Sequence, residues 1–209
     1  MSGVAVRRAN PRGQGDRLRQ QLLAAATASI EASGARQLTL RALARGVGIT
    51  APSVYLHFPS LDHLLAGVVQ QAFADLTDAT SAAARNVADP AEELRARCRA
   101  YCRFGLEHPH LYQLMFQEDL PLTFANSLES TPGRRSFENL LSAVRRCLDS
   151  GVCPPHDDPF RLASLIWVAE HGLVLARISR PMFPWADIDS LVDEMVTRMM
   201  GLRFTPDSQ

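Results

Sequence analysis

Ser53, Tyr55 and His57 carry a hydroxyl, a phenol and an imidazole near the end of the stretch QLTLRALARGVGITAPSVYLHF, residues 37–58. On a helix they face outward while Val54 and Phe58 face inward. Outward groups of this kind suit hydrogen bonding to a polar surface. The chain offers little for bond-breaking chemistry. It has no G-x-S-x-G, no H-E-x-x-H, no glycine-rich phosphate loop and no dense carboxylate pair in an apolar setting. His108 and His110 flank Pro109, a spacing that fits helix entry better than metal binding. Asp157-Asp158 reads as a capping pair before Pro159. The four cysteines, Cys98, Cys102, Cys147 and Cys153, make no C-x-x-C pair. Buried free thiols are the plainer account; a redox sensor is the alternative. No catalytic residue, metal or cofactor is expected.

The outward groups need two short helices and a tight turn to hold them. Thr39 can cap the first helix with its hydroxyl. Leu40, Leu43, Ala44 and Val47 give it an apolar stripe. Gly46 and Gly48 permit the turn, and Ile49 plugs the space between the helices. Thr50 caps the second helix, with Ala51 and Pro52 at its first positions, where proline loses nothing. An exposed second helix of such a pair fits the major groove of DNA.

Charge is distributed to match. The 209 residues carry 22 basic and 22 acidic side chains, and every basic one is arginine. Residues 1–60 hold eight arginines against Asp16 and Glu31, so the head is basic and the remainder acidic. One basic end on an acidic body is the pattern of a protein that meets a polyanion at that end. Chance segregation of charge is the alternative. The first residues lack a hydrophobic signal core, and no segment reaches the roughly 20 apolar residues that span a bilayer. The nearest, 162–176, is interrupted by Glu170 and His171. A soluble, cytoplasmic protein with no membrane partner is expected.

The remaining pattern is helical throughout, without internal repeat or strand-like alternation. Residues 1–14 read as a flexible basic arm. Helices follow over about 16–33, 61–81, from Asp89-Pro90, from Pro109, from Thr131-Pro132 to 150, over 159–176 and from Ile188. Residues 117–131 read as a loop. The helix from Asp89-Pro90 turns Leu94, Cys98, Tyr101, Cys102, Gly105 and Leu106 inward. The expected fold is all-α: an N-terminal three-helix helix-turn-helix domain over 15–62 and a C-terminal helical domain over 63–209, to which the family resemblance below assigns ligand binding and dimerisation.

Leu38-Thr39, Arg41, Leu43-Ala44, Gly48-Ile49, Pro52-Ser53, Tyr55 and His57-Phe58-Pro59-Ser60 together resemble the DNA-binding signature of TetR-family transcriptional regulators. His108–Phe116 (HPHLYQLMF) and Trp167–Gly172 (WVAEHG) resemble the effector domain of the subgroup marked by a Trp-His-Gly element. The resemblance implies a homodimeric regulator, usually a repressor, released from a palindromic operator by a small molecule. It implies DNA contacts from Thr39, Arg41, Thr50, Ala51, Pro52, Ser53, Tyr55 and His57. Arg41 would donate to phosphate or guanine, and Tyr55 and His57 to phosphates. For His57, packing and helix capping is an equal alternative. Leu61 stands where many relatives have a lysine, which places more of the phosphate contact on backbone N–H groups and on the N-terminal arm.

The last two helices carry more apolar surface than one core needs, and the family pairs them with their copies as a four-helix bundle. Tyr101, Phe104, Met115, Phe116, Trp167 and His171 are the candidate effector-binding residues, with His171 and Tyr101 as polar anchors for a small apolar or aromatic effector. An aromatic stripe at helical spacing also reads as ordinary core, and spacing alone leaves both open. The competing functional class is a helical interaction module or enzyme that has lost DNA binding, for which the Leu61 departure is the only support.

Overall fold

The computed structural model describes residues 14–116 and 133–202. The basic arm expected over 1–14 lies outside them except for Gln14, and the loop expected over 117–131 lies outside them entirely. Among the described residues all regular structure is helical. The chain divides into two compact units, with the break between Val68 and Val69.

The first unit holds α1 (Gln14–Ser33), a single 3₁₀ turn (Ala35–Gln37), α2 (Leu40–Val47), α3 (Ala51–Tyr55) and the start of α4 (Leu61–Ala83). Its core is built from one stripe of each helix. Leu22, Ala26 and Ile30 come from α1, Leu40, Leu43 and Ala44 from α2, Val54 from α3, Leu64 and Val68 from α4. Phe58 seals it from the loop after α3. Thr39 caps α2 as its sequence position implies, its Oγ1 accepting the Ala42 N–H at 3.1 Å. Gly48 ends α2 at φ 75°, a left-handed conformation that side chains beyond glycine seldom adopt.

Two local expectations fail here. Thr50 occupies the cap position of α3, but its hydroxyl engages Ser53 Oγ at 2.9 Å and caps no backbone N–H. The amide it would cap is already taken, because Ser53 N donates to the Thr50 carbonyl at 3.0 Å. α3 also stops at Tyr55 and does not carry His57 and Phe58. Pro59 disfavours helical geometry in the residue before it. The amides of His57 and Phe58 both converge on the Val54 carbonyl at 2.9 Å, closing the end of the helix.

The second unit continues α4 and adds α5 (Pro90–Glu107), α6 (Pro109–Met115), α7 (Arg134–Asp149), α8 (Pro159–Ser179) and α9 (Ile188–Met200). Three of these start on an aspartate whose carboxylate accepts first-turn amides: Asp89 for α5, Asp158 for α8 and Asp187 for α9. α5 runs through the centre and packs against α7, α8 and α9. Its buried face is Leu94, Cys98, Tyr101, Cys102, Phe104 and Gly105. Leu106, expected inward, is half-buried, and Phe104 takes the deeper place.

α8 is longer than its apolar run suggested, continuing past Ala176 to Ser179. By length and composition alone it could cross a membrane, contrary to the sequence expectation. It packs instead against α5, α7 and α9 through Leu162, Ala163, Ile166, Glu170 and Val174. The close approach of α5 and α8 depends on Gly105. A Cβ there would lie 2.5 Å from Val174 Cγ1 and 2.8 Å from Tyr112 Cδ2. Gly105→Ala is therefore expected to destabilise the protein by about 1–3 kcal/mol through overpacking. Urea denaturation followed by circular dichroism reads this directly, and an unchanged midpoint would mean that α5 and α8 separate without cost.

Candidate functional site

The first unit exposes arginines from α1, the 3₁₀ turn and α2. Arg17, Arg19, Arg36, Arg41 and Arg45 all reach the surface. Arg19 lays its guanidinium over the Phe58 ring, 5.1 Å from the centroid, so part of its stem is fixed against the core. Thr39, Arg41, Thr50 and Pro52 are exposed, and Ala51, Ser53 and His57 are half-buried. Tyr55 is 49% exposed at the end of α3. His57 lies beyond the helix, with its Cε1 3.8 Å from where a Cβ on Gly15 would stand. That places it against α1 and fits packing at least as well as an outward contact.

Leu56 is not in the sequence-derived set, yet it is 81% exposed beside Tyr55. A signal was available. With Val54 and Phe58 both inward, the residue midway between them in a short helix must point out. An exposed leucine at this place can meet a thymine methyl group, which reads apolar surface in the groove. At the start of α4, Ser60 Oγ accepts the His63 N–H at 3.3 Å and lies 2.8 Å from His63 Nδ1. Asp62 is exposed in the same first turn. Its carboxylate complements the helix dipole but works against a phosphate.

In the second unit a chain of hydrogen bonds links three helices. The Tyr101 hydroxyl of α5 is 2.9 Å from the Tyr112 hydroxyl of α6, which is 2.8 Å from Nδ1 of His171 on α8. Rings enclose this chain. Phe116 stands 4.4 Å from His171 and 4.8 Å from Tyr112, and Trp167 stacks on His171 at 5.8 Å with planes 22° apart. Phe73 of α4 meets Phe116 edge-on at 5.5 Å, and Phe137 of α7 meets Trp167 at 6.5 Å.

Of the six candidate effector residues, Tyr101, Phe116, Trp167 and His171 thus come together. Phe104 does not join them: its ring pairs with His108 at 4.9 Å. Met115 is buried next to Phe116 in the chain. Sequence reasoning missed Tyr112, the link of the whole chain of hydrogen bonds, although it sits three residues from Met115 inside the quoted HPHLYQLMF segment.

Glu170 is the second omission. It is 2% exposed, and its Oε1 has no hydrogen-bond partner among the described residues. Burial pushes its carboxyl up to about 8, with a hydrogen bond to the Cys98 thiol pulling the other way. Burial also pushes Tyr101 and Tyr112 up, and holds His171 below the usual imidazole range. Near neutral pH the cluster therefore carries no full charge. The four thiols are buried and unbridged, and burial raises each of them, Cys147 to about 12. A redox sensor needs an accessible, low-pKa thiolate, so this geometry speaks for inert core cysteines.

Two family models cover most of the chain. Residues 22–68 match the one described as "Bacterial regulatory proteins, tetR family", and residues 94–199 match "Tetracyclin repressor-like, C-terminal domain". The chain belongs to the TetR family, whose members are transcriptional regulators and not enzymes. Among its relatives is the HTH-type transcriptional repressor KstR2 of Mycobacterium tuberculosis, 33% identical over 114 residues, 51% of this chain and 53% of that one. The chain spans about half the length of the curated relatives it matches. Over 93% of its length it superposes on 99% of a Rhodococcus sp. RHA1 protein of unknown function, with TM-score 0.76 and 26% identity. The TetR-family regulator PfmR of Thermus thermophilus shares the fold at TM-score 0.63 and 23% identity, over 88% of this chain and 99% of that one.

Glu170 makes stability depend on pH in a defined direction. Below about 4.5 its carboxyl is protonated whether the chain is folded or not; above about 8 the folded core must hold a charge. Between those values the folded state binds the extra proton, so stability falls as pH rises. Glu170→Gln is expected to flatten that slope, and to stabilise the protein at pH 9 by on the order of 3 kcal/mol relative to its effect at pH 4.5. Thermal melts across pH 4.5–9 measure it. Parallel curves for the two proteins would show that Glu170 finds water or a partner when ionised.

Proposed function

We propose that this TetR-family chain is a ligand-released repressor that binds a palindromic operator as a homodimer. The observation that carries the reading is the exposed edge of α3 within a unit whose described arginines, Arg17, Arg19, Arg36, Arg41 and Arg45, lie at the surface. In it, Thr39 at the cap of α2, Arg41 on α2, Thr50 at the cap of α3, Ala51, Pro52, Ser53 and Tyr55 on α3, and His57 after it contact DNA. Residues 1–14 act as a basic arm, 15–62 as the DNA-binding domain and 63–209 as the effector and dimerisation domain. Repression, and not activation, is favoured by the name of the relative KstR2.

Dimerisation through the last two helices is supported by the apolar side chains that one protomer leaves exposed there. Phe160 is 59%, Leu165 50% and Val168 60% exposed on α8, and Met199 37% on α9. Such a patch on a soluble protein marks an interface. A two-fold pair then sets its recognition helices about 34–36 Å apart, one turn of DNA. The cytoplasm is where such a regulator works.

The aromatic cluster around Tyr101, Tyr112, Phe116, Trp167 and His171 receives a small apolar or aromatic effector. Effector entry displaces Phe116 and, through the edge contact with Phe73, biases α4. A preference of about 1–3 kcal/mol for the non-binding state relieves repression usefully.

Sedimentation and gel shift on the gene's own upstream DNA test this. The wild-type chain is expected to be a dimer that prefers one palindromic duplex over heparin. Val168→Glu is expected to sediment as a monomer and lose on the order of 100-fold in operator affinity, because one half-site alone must then hold the DNA. Arg41→Ala should remain dimeric and lose about 1–3 kcal/mol of binding. A wild-type monomer with no preference for any duplex would end the reading.

A further inference from the structure

The carboxyl of Glu170 lies within electrostatic reach of the polar chain of the cluster. Glu170 is wholly buried on the α8 face that packs on α5. It acts electrostatically on the hydroxyls of both Tyr101 and Tyr112. Its hydrogen-bonding neighbour is the Cys98 thiol, and its oxygen Oε1 has no donor among the described residues. Buried acceptors are nearly always satisfied, and one that is not marks a place where something donates. Trp167 precedes Glu170 by one turn of α8 and His171 follows it directly, and with Tyr112 and Phe116 their rings lie 4.4–6.5 Å apart in centroid pairs. Aromatic faces attract a cation, more strongly when it is desolvated. A buried carboxyl that lacks a donor, one residue along α8 from a ring of this cluster, is complementary to an organic ammonium group.

Resting on the reading of this cluster as the effector site, we propose that Glu170 is its charged anchor and that the effector is a flat aromatic molecule bearing a protonated amine. The ring system stacks among Phe116, Trp167 and His171, and the ammonium donates to Oε1. Among the described residues, no other carboxylate is among the influences on Glu170. α5 offers Cys98, Tyr101 and Cys102, and α6 offers Tyr112, all raised by burial. Cys147 of α7 and Asp189 of α9 act on those cysteines, and Arg177, two turns along α8, acts on Cys102; none of the three is among the influences on Glu170. In the free protein Glu170 holds a proton at neutral pH, so the ammonium displaces it. Binding then releases about one proton below pH 8 and tightens roughly tenfold per pH unit until Glu170 is ionised.

Two probes of one shape separate the possibilities: 1-naphthylmethylammonium and its neutral counterpart 1-naphthalenemethanol. Each is titrated into the full-length protein by calorimetry, at about pH 6–8.5 and in two buffers of different ionisation enthalpy, so that proton release is read directly. Trp167 fluorescence, with Trp167→Phe as control, reports the location. The cation is expected to bind roughly tenfold tighter than the alcohol at pH 8, with proton release at pH 7. Glu170→Gln should abolish that preference and the proton release. If the alcohol binds as tightly as the cation and no proton is released, the amine class is overturned while the effector site stands. If neither probe binds or alters Trp167 fluorescence at millimolar concentration, both readings fall. Proton release by the wild-type protein decides the matter even where Glu170→Gln does not fold.

Discussion

Helix α5 must satisfy three neighbours at once, and the body of the protein follows from how it does so. α7, α8 and α9 all pack on it. It can admit α8 only because Gly105 has no side chain, and the same gap seats the Tyr112 ring. That seating brings the Tyr112 hydroxyl within bonding distance of Tyr101 and His171. A side chain at Gly105 would therefore do more than crowd the core. It would pull apart the hydrogen-bonded chain that joins α5, α6 and α8, because packed interiors transmit such shifts instead of absorbing them.

The half-buried flank of α5 is held by charge. Arg99 pairs with Glu92 and with Asp193 of α9, and Arg103 with Asp189. Glu93 takes hydrogen bonds from both Arg97 and Arg146 of α7. Burial works against its charge, yet these two guanidiniums hold it below the usual carboxylate range. Arginine is suited to this use because its planar fork can bind one carboxylate twice. Arg99, Arg103 and Arg146 thus clamp α7 and α9 onto α5, whereas the described arginines of the head lie at its surface. A net charge of zero conceals two different employments of one residue type.

What the sequence disclosed depended on how local the physics was. Thr39, Gly48 and Asp89 act within a few residues of themselves, and the caps and turns they make were legible. Thr50 acts just as locally, but its hydroxyl chose Ser53 over the backbone, a competition between two partners that spacing does not resolve. In the body, Trp167 and His171 share a helix face and could be paired by eye. Phe104 and Tyr112 could not be ranked, since which aromatic reaches the α8 cluster is set by the turn between α5 and α6 at His108. Phe73 and Phe137 join from helices far off in the chain, and no periodicity connects them to Phe116 or Trp167. The glutamate reads from sequence only as an interruption of an apolar run, because its burial is a fact of tertiary packing.

α8 shows why that interruption misled. An amphipathic surface helix puts charge outward and apolar groups inward. α8 does the reverse at its middle: Glu170 lies in the core while Leu165 and Val168 face solvent. A helix with apolar groups on both faces reads from sequence like a membrane span, and its length permits one. The inverted pattern has a different cause. Its inner face answers to α5, where a polar group hydrogen-bonds Cys98 and acts on the tyrosine hydroxyls, and its outer face leaves Leu165 and Val168 uncovered by the protomer. Replacing Glu170 by an apolar residue would suit a monomer better, since a buried carboxyl without a full set of partners opposes folding. Retaining it while exposing Phe160, Leu165 and Val168 accords with the proposal that this helix serves two interfaces, one toward an effector and one toward its own copy.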